Sequence, residues 1–532
     1  MKWLRLLAGI PASIVLFAVP QQDALATLRG VVTEARTGAP APNVSVGLQH
    51  GRRTRSVRTD PFGRFTFSDV PPGTIQLGLL SEISSAGVFR GRRAYMTVEP
   101  RQQIEDLNIL VTEDGIVTGR ILTPDGAPAV GAVVQVARRG YEFGGRCTFE
   151  PVAQDRTDDR GLYRIFGLPS GEYYVRAGTS SSLSQYTFFP GTRDPSAAQR
   201  VVVVDGEQTD RIDFALSKLV FMTVSGTIDL EKPPPVPVSF GIDMQRTDQC
   251  AVGLGATPST ASFNATIPAT SGTFELIVSV APTSQEADWL RQRMMTLVSR
   301  WQGSDRLYAG RTTIQLSGQD LSGIRINVQP LMPLSGRIQV HPDSDPISLQ
   351  SIQLAVFPST RSYVEQPVTA DGTFIMPTQF VGRHYVLLEN LSAGAYVVDI
   401  RSDGASVYGE GIVIAGTTPE PLEVILDSGG GVVEGRVLDS ENRPAVFVAA
   451  VLVPTEAGSN PLYYKTAGTD RNGMFRFHGV APGDYRVLAW KNVPEFAWQN
   501  GDFLARFKEY GTATHVERQG RSSGLTVHEL IP

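Results

Sequence analysis

The sequence predicts an all-β chain, a tandem array of small antiparallel β-sandwich domains. Gly (53) and Pro (36) are abundant among 532 residues and only 19% of them are charged, which suits many short strands joined by tight turns. A chain this long exceeds what one core can organise, so domains of roughly 100–150 residues are expected. A turn–strand–turn–strand unit, clearest over Thr157 to Val175, recurs five times with one internal spacing.

The unit carries two turn glycines ten residues apart. Asp158 to Gly161 is a turn, with Asp early and Gly late, where φ > 0 costs least. Tyr163 and Ile165 then alternate with Arg164, giving a strand with one apolar face. Leu168 to Gly171 is a second turn, and Tyr173 and Val175 open the next strand. The same pair of glycines is Gly63 and Gly73 in the first copy and Gly473 and Gly483 in the last, where Tyr485 takes the place of Tyr173. The fourth copy keeps Gly372 and Gly382, and the third keeps Gly272 but has Ser262 at the first position.

Each unit follows a first strand built around a glycine: Gly30, Gly119, Gly226, Gly336 and Gly435. The intervals between them are 89, 107, 110 and 99 residues, each the size of one sandwich of six or seven short strands. Short alternating segments close the copies, at Ile104 to Val111, Thr209 to Leu216, Leu321 to Val328, Pro421 to Leu426 and Leu525 to Leu530. The expected division is therefore 1–26 as an export signal, then repeats at 27–112, 113–217, 218–330, 331–428 and 429–532. Leu391 to Val398 repeats the second turn within the fourth copy and predicts an extra strand pair there. Ser284 to Trp301 has helical spacing of Trp289, Leu290, Met294, Leu297 and Trp301, and Asp502 to Tyr510 predicts a short helix.

The first 26 residues read as a secretory signal. Lys2 and Arg5 precede an apolar run from Leu6 to Ala18, and Ala24-Leu25-Ala26 offers small residues for cleavage. No later run is long enough to span a membrane. An exported chain meets an oxidising compartment, so its two cysteines, Cys147 and Cys250, either pair across consecutive repeats or remain as buried or free thiols. A net charge of −5 argues against a general nucleic-acid binder.

The Val-x-Gly-Arg-Ile/Val start, the Asp-Gly-x-Pro-x-x-Gly-Ala-x-Val second segment and the Thr-Asp-x-x-Gly-x-Phe-x-Phe-x-x-Val-Pro-Pro-Gly-x-Tyr-x-Val core together resemble the carboxypeptidase regulatory-like domain. Repeats one, two and five match well; three and four are degenerate. The resemblance implies a transthyretin-like (prealbumin-like), Ig-like sandwich, a fold classed with carbohydrate-binding-like and Cna-B-type modules. It transfers no catalytic residue, because in carboxypeptidases this domain lies beside the catalytic one. Cna-B relatives often carry a Lys–Asn isopeptide link. Residues 27–217 and 233–464 contain no Lys, so repeats one, two and four lack the group that link needs.

Catalytic constellations are missing from the sequence. The histidines (His50, His341, His384, His478, His515 and His528) form no zinc-binding motif, and there is no nucleophile elbow and no phosphate loop. No metal site and no cofactor are expected; Asp158-Asp159 and His341 to Asp345 read as solvated turn acids. Sugar binding needs an exposed aromatic platform. Trp490 and Trp498 are the candidates; Trp498, in a Pro-bounded loop, is the better placed, since Trp490 either faces a ligand or continues the strand after Tyr485 and Val487 into the core. Tyr141, Phe143 and Tyr463-Tyr464 are further candidates. Repeat one holds eleven Arg against seven acids, a face for solvent or for acidic envelope polymers. The sequence thus points to a non-enzymatic exported protein, periplasmic or extracellular, that binds polysaccharide or serves a structural role. The alternative is an accessory of an envelope transport or hydrolase system, acting through an envelope protein. Gly63, Gly73, Gly161, Gly171, Tyr173, Gly473, Gly483 and Tyr485 recur in place and are expected to serve the fold.

Overall fold

A computed structural model describes residues 25–531 apart from 52, 81–88, 112–113, 180–185, 231–237, 248–249, 251–252, 257–259, 283–307, 359–363, 377–380, 415–417 and 456–460. The apolar leader and the helical spacing of 284–301 lie outside the described residues.

The chain is built of β-strands, and every repeat uses one pairing scheme. Its first strand lies between the strand that follows the Thr-Asp turn and the closing strand. In repeat one, Ala26–Glu34 pairs antiparallel with Arg64–Val70 and parallel with Gln103–Val111. In repeat two, Gly115–Leu122 pairs antiparallel with Leu162–Leu168 and parallel with two short pieces, Gln208–Thr209 and Phe214–Ala215. The same arrangement holds for Phe221–Leu230, Leu334–Val340 and Gly431–Leu438. Pairing is antiparallel except that the closing strand runs parallel to the first strand in every repeat and, in the last, also to the end of Gly483–Trp490.

That parallel pair explains the glycine of the first strand. A Cβ on Gly119 would sit 2.2 Å from the carbonyl oxygen of Ile212, and one on Gly435 would sit 2.3 Å from that of Leu525. The closing strand approaches so closely that only a residue without a side chain fits.

A second sheet faces the first. In repeat two it runs Arg146–Arg156, Val133–Glu142, Gly171–Gly178, Thr187–Phe188. Alternation on both sheets sends Val117, Ile121, Tyr163, Ile165, Val134, Val136 and Val175 into one core. Comparable cores are drawn from residues 26–107, 222–328, 334–426 and 433–527. Repeat four adds the hairpin Tyr396–Ser402 with Ala405–Ser406, at the duplicated turn.

Neighbouring repeats are fastened by specific contacts. Cys147 and Cys250 form a disulfide between repeats two and three, with Cα atoms 4.5 Å apart. Between repeats three and four, Arg311, held by Glu275 of its own repeat, donates from Nη1 to the Val381 carbonyl at 3.4 Å. Between four and five, Arg518 grips the buried Asp427 through Nε and Nη2, both at 3.0 Å. Burial alone would raise the Asp427 pKa. Arg518, the Gly429 amide and the Ser344 hydroxyl more than offset that and hold the carboxyl well below the usual range.

Candidate functional site

The Thr-Asp turn comes first, because its residues recur and so invite a functional reading. Thr469 Oγ1 donates to the Ala445 carbonyl at 2.9 Å and accepts from the Val448 amide at 3.0 Å. Thr59 does the same for Ala41 and Val44, at 2.8 and 2.9 Å. Thr157 is equivalent, bonding Ala129 and Ala132. The adjacent Asp caps its own turn: Asp158 Oδ1 accepts from the Arg160 and Leu162 amides at 2.9 and 2.8 Å. The Leu162 amide above all, with the Arg160 side chain and amide, holds the Asp158 carboxyl below its usual pKa against the opposing effect of desolvation. Gly161, at φ +75°, would place a Cβ 2.4 Å from the Ile121 carbonyl. The Tyr173 hydroxyl donates to the Pro169 carbonyl at 2.6 Å, and Tyr485 to Ala481 at 2.8 Å. Each recurring polar group is thus satisfied within its own repeat and serves to join turns to sheets.

The strongest convergence of side chains lies where the last repeat meets the first two. The strand Gly483–Trp490 leads into a loop and then the helix Gly501–Ala505, whose first turn is capped by Asn500 Oδ1 accepting from the Phe503 amide at 2.8 Å. The helix is shorter than the expected 502–510 span. This excursion folds Phe503 and Phe507 over Trp490, with ring centroids 5.7 and 5.3 Å away. Tyr141 of repeat two packs on Phe503 at 5.9 Å, and Tyr95 of repeat one joins the same cluster.

Backbone contacts seal both sides. Gly144 donates to Gln499 Oε1, and Asn500 Nδ2 donates to the Gly145 carbonyl, each at 2.8 Å. A Cβ on Gly145 would fall 2.3 Å from the Gln499 backbone. On the other side the Tyr95 amide donates to the Phe447 carbonyl at 3.0 Å, and Thr74 Oγ1 to that of Thr466 at 3.1 Å. Gln49 Nε2 reaches Glu495 Oε2 at 3.1 Å.

This geometry corrects the aromatic-platform expectation. Trp490 is 0% exposed and Trp498 is 3% exposed, so neither offers a face to a ligand. Tyr141 is buried in the same cluster, Phe143 packs edge-on against Phe496, and Tyr463 packs against Tyr408 of repeat four. The Trp498 loop, bounded by Pro494, is drawn inward because repeats one and two supply an apolar surface for it. Sequence reasoning missed Phe503, Phe507, Gln499 and Asn500. The available signal was the density of aromatics over 491–510: Phe496, Trp498, Phe503, Phe507 and Tyr510.

The junction is chemically quiet but electrostatically tense. Tyr95 Oη and Trp490 Nε1 are sealed without an acceptor among the described residues. Burial, then the nearby Glu495, push the Tyr95 phenol up. Burial pulls Lys465 down to about 8. No group of three or more His, Cys, Asp or Glu with the geometry to hold a metal occurs among the described residues.

Family comparison matches two segments to the carboxypeptidase regulatory-like model, residues 27–112 and 116–217. These two segments are similar to carboxypeptidase regulatory-like domains. Their Thr-Asp turns, first-strand glycines and closing strands are the features described above. Comparison with curated proteins finds no match. Among solved structures, the chain is similar to the Bacillus anthracis TIE protein at 10% identity, covering 57% of this chain and 51% of that one, with a TM-score of 0.15. The chain thus spans about half the length of that protein. It is also similar to the Streptococcus agalactiae minor pilin GBS52, at 16% identity over 36% of this chain and 97% of that one, TM-score 0.23. A streptococcal ancillary pilin matches at 13% identity over 57% and 99%, TM-score 0.19. Scores this low carry no argument about function. No helix among the described residues is long and apolar enough to cross a membrane.

Proposed function

We propose that this protein is an exported, non-catalytic structural or binding component of the cell envelope, in which five sandwich domains act as one body. The observation that carries the reading is the junction of repeats one, two and five. It devotes the excursion 491–510 to holding domains together, and the recurring polar residues are likewise bonded inside their own repeats. The sequence supplies an export leader at 1–26 and no catalytic constellation, in keeping with that role. Fractionation of producing cells tests it: full-length mature chain in the periplasmic or extracellular fraction is expected, and retention in the cytoplasm with the leader intact overturns it. Carbohydrate binding, if part of this role, uses a surface other than Trp490 and Trp498. On a glycan array, Trp498→Ala is then expected to change stability more than any sugar signal.

A second reading, action through a protein partner, is favoured by the strand after the Thr-Asp turn. It ends its sheet in every repeat, so among the described residues one backbone edge carries no strand partner. In repeat two this edge bears Phe166, 68% exposed. A photo-crosslinker at position 166 in producing cells is expected to trap an envelope protein; a probe that captures nothing there removes this reading.

A further inference from the structure

Repeat two buries a cation that contacts no acid among the described residues. On the strand Gly171–Gly178, Tyr173, Val175 and Ala177 enter the sandwich core, so Tyr174 and Arg176 face outward from the sheet. Arg176 is nonetheless only 2% exposed. It pairs laterally with Gln135 on one side and Phe188 on the other. Its Nε donates to Gln135 Oε1 at 2.8 Å, and Nη2 donates to the same oxygen. Its guanidinium carbon lies 4.7 Å from the Tyr186 ring centroid and 5.9 Å from that of Phe188. Phe149 and Tyr174 continue this aromatic wall, centroids 5.1 Å apart.

Among the described residues no carboxylate contacts Arg176. Glu172, on the same strand face, is already paired with Arg200. Burial pulls the Arg176 pKa down to about 10, with only Tyr186 opposing it. A buried charge without a counter-charge is costly, and an apolar residue of similar size would serve packing better. Ring faces and one amide oxygen compensate it in part. Gln135 Oε1 takes the Nε–Nη2 edge of the guanidinium, and none of the hydrogen bonds among the described residues engages Nη1.

We propose that Arg176, with Gln135, Tyr186 and Phe188 around it, forms a binding site for the carboxylate of a small organic acid or acidic sugar. The planar guanidinium edge matches a carboxylate in two parallel hydrogen bonds. Gln135 fixes the guanidinium plane, and the aromatic wall excludes the water that would otherwise screen the pair. Entry is through Tyr186 and the short strand Thr187–Phe188, which pairs with the sheet at Arg176–Phe188 and Ala177–Thr187 and is tied further by the Phe189 amide to the Val175 carbonyl and the Ser217 amide to Thr187 Oγ1. The site deepens the binding reading above and rests on it for its biological meaning; its chemistry is testable apart from it.

The test is calorimetric titration of the purified full chain with acetate, glucuronate, sulfate and neutral acetamide. Saturable binding of acetate or glucuronate is expected, with glucuronate tighter if the natural ligand is a sugar acid and acetate equal to it if a simple acid suffices. Gln135→Glu supplies the missing carboxylate from within. It is expected to raise the melting temperature and weaken carboxylate binding by roughly tenfold or more. Arg176→Met is expected to abolish binding. Because Gln135→Glu strengthens the fold where Arg176→Met removes a charge, loss of binding in both separates site chemistry from misfolding. No saturable binding by the wild type, or binding unchanged in Gln135→Glu, overturns the site. Sulfate binding as tightly as acetate overturns the carboxylate assignment. Carboxylate binding in a chain that fractionates to the cytoplasm leaves the site standing and fails the envelope reading alone.

Discussion

Thr469 shows how much a single recurring side chain contributes. It is fully buried, and its hydroxyl both donates to and accepts from backbone, stitching the Ala445–Val448 turn to the Thr-Asp turn. Thr469→Val keeps the shape and removes both bonds, leaving a buried amide and carbonyl unsatisfied. A loss of about 1–3 kcal/mol in urea unfolding is expected, and a similar loss at Thr157. His384 responds to pH instead. It is 1% exposed, its Nδ1 lies 2.9 Å from the Gly382 carbonyl, and its Nε2 has no partner among the described residues. Burial, with a further push from Arg311, lowers its pKa below the ordinary 6.5, partly countered by the Gly382 carbonyl. The folded state therefore resists a proton that the unfolded chain accepts. Its contribution is intact above pH 6.5 and declines as the pH falls below that value. The melting temperature of the wild type is expected to fall through this window, and His384→Phe is expected to flatten that part of the profile.

At the scale of elements, the helix Gly501–Ala505 is too short to stand alone. It exists because Asn500 caps it and because Phe503 lands on Trp490 and Tyr141. Asn500 also reaches the Gly145 carbonyl, so one side chain serves both the cap and the junction. Asn500→Ala is expected to destabilise by about 1–2 kcal/mol, since both bonds go together. Hydrogen exchange should then quicken at Phe503 and at Gly144 alike; a change confined to the helix would mean that the contact with repeat two bears no load. The sequence carried the strands well. Alternation around Tyr163 and Ile165, the turn glycines and the first-strand glycines are local signals, and all of them correspond to elements here. It could not show the parallel closing pair, because Gly119 reveals that something comes close without saying which strand or in which direction. Nor could it show that Trp498 is buried. Local composition marks the 491–510 loop as aromatic, but the surfaces that cover it come from Tyr95 and Tyr141, hundreds of residues away in sequence.

The whole molecule is best understood as two kinds of connection acting on five cores. Repeats one, two and five share an apolar junction, the kind of interface that melts cooperatively with the cores it joins. Repeat three is fastened differently: by the disulfide Cys147–Cys250, by Arg146 donating to Gln245, and by Arg311 toward repeat four. Among the described residues these are polar or covalent links, with Cys250 also packed against Phe149, Tyr174 and Phe188 of repeat two. Removing the disulfide should therefore act on the third repeat selectively. The closed loop spans a sequence separation of 103, and losing it releases chain entropy worth about 2–4 kcal/mol in the unfolded state. Scanning calorimetry of Cys147→Ser with Cys250→Ser is expected to show a new, lower transition belonging to repeat three. The main transition of the joined repeats should stay in place. The same split should appear in the wild type on adding a reductant. If all transitions instead move down together, repeat three is as tightly coupled as the rest, and the chain melts as a single unit whose stability no longer divides between an apolar junction and a covalent tether.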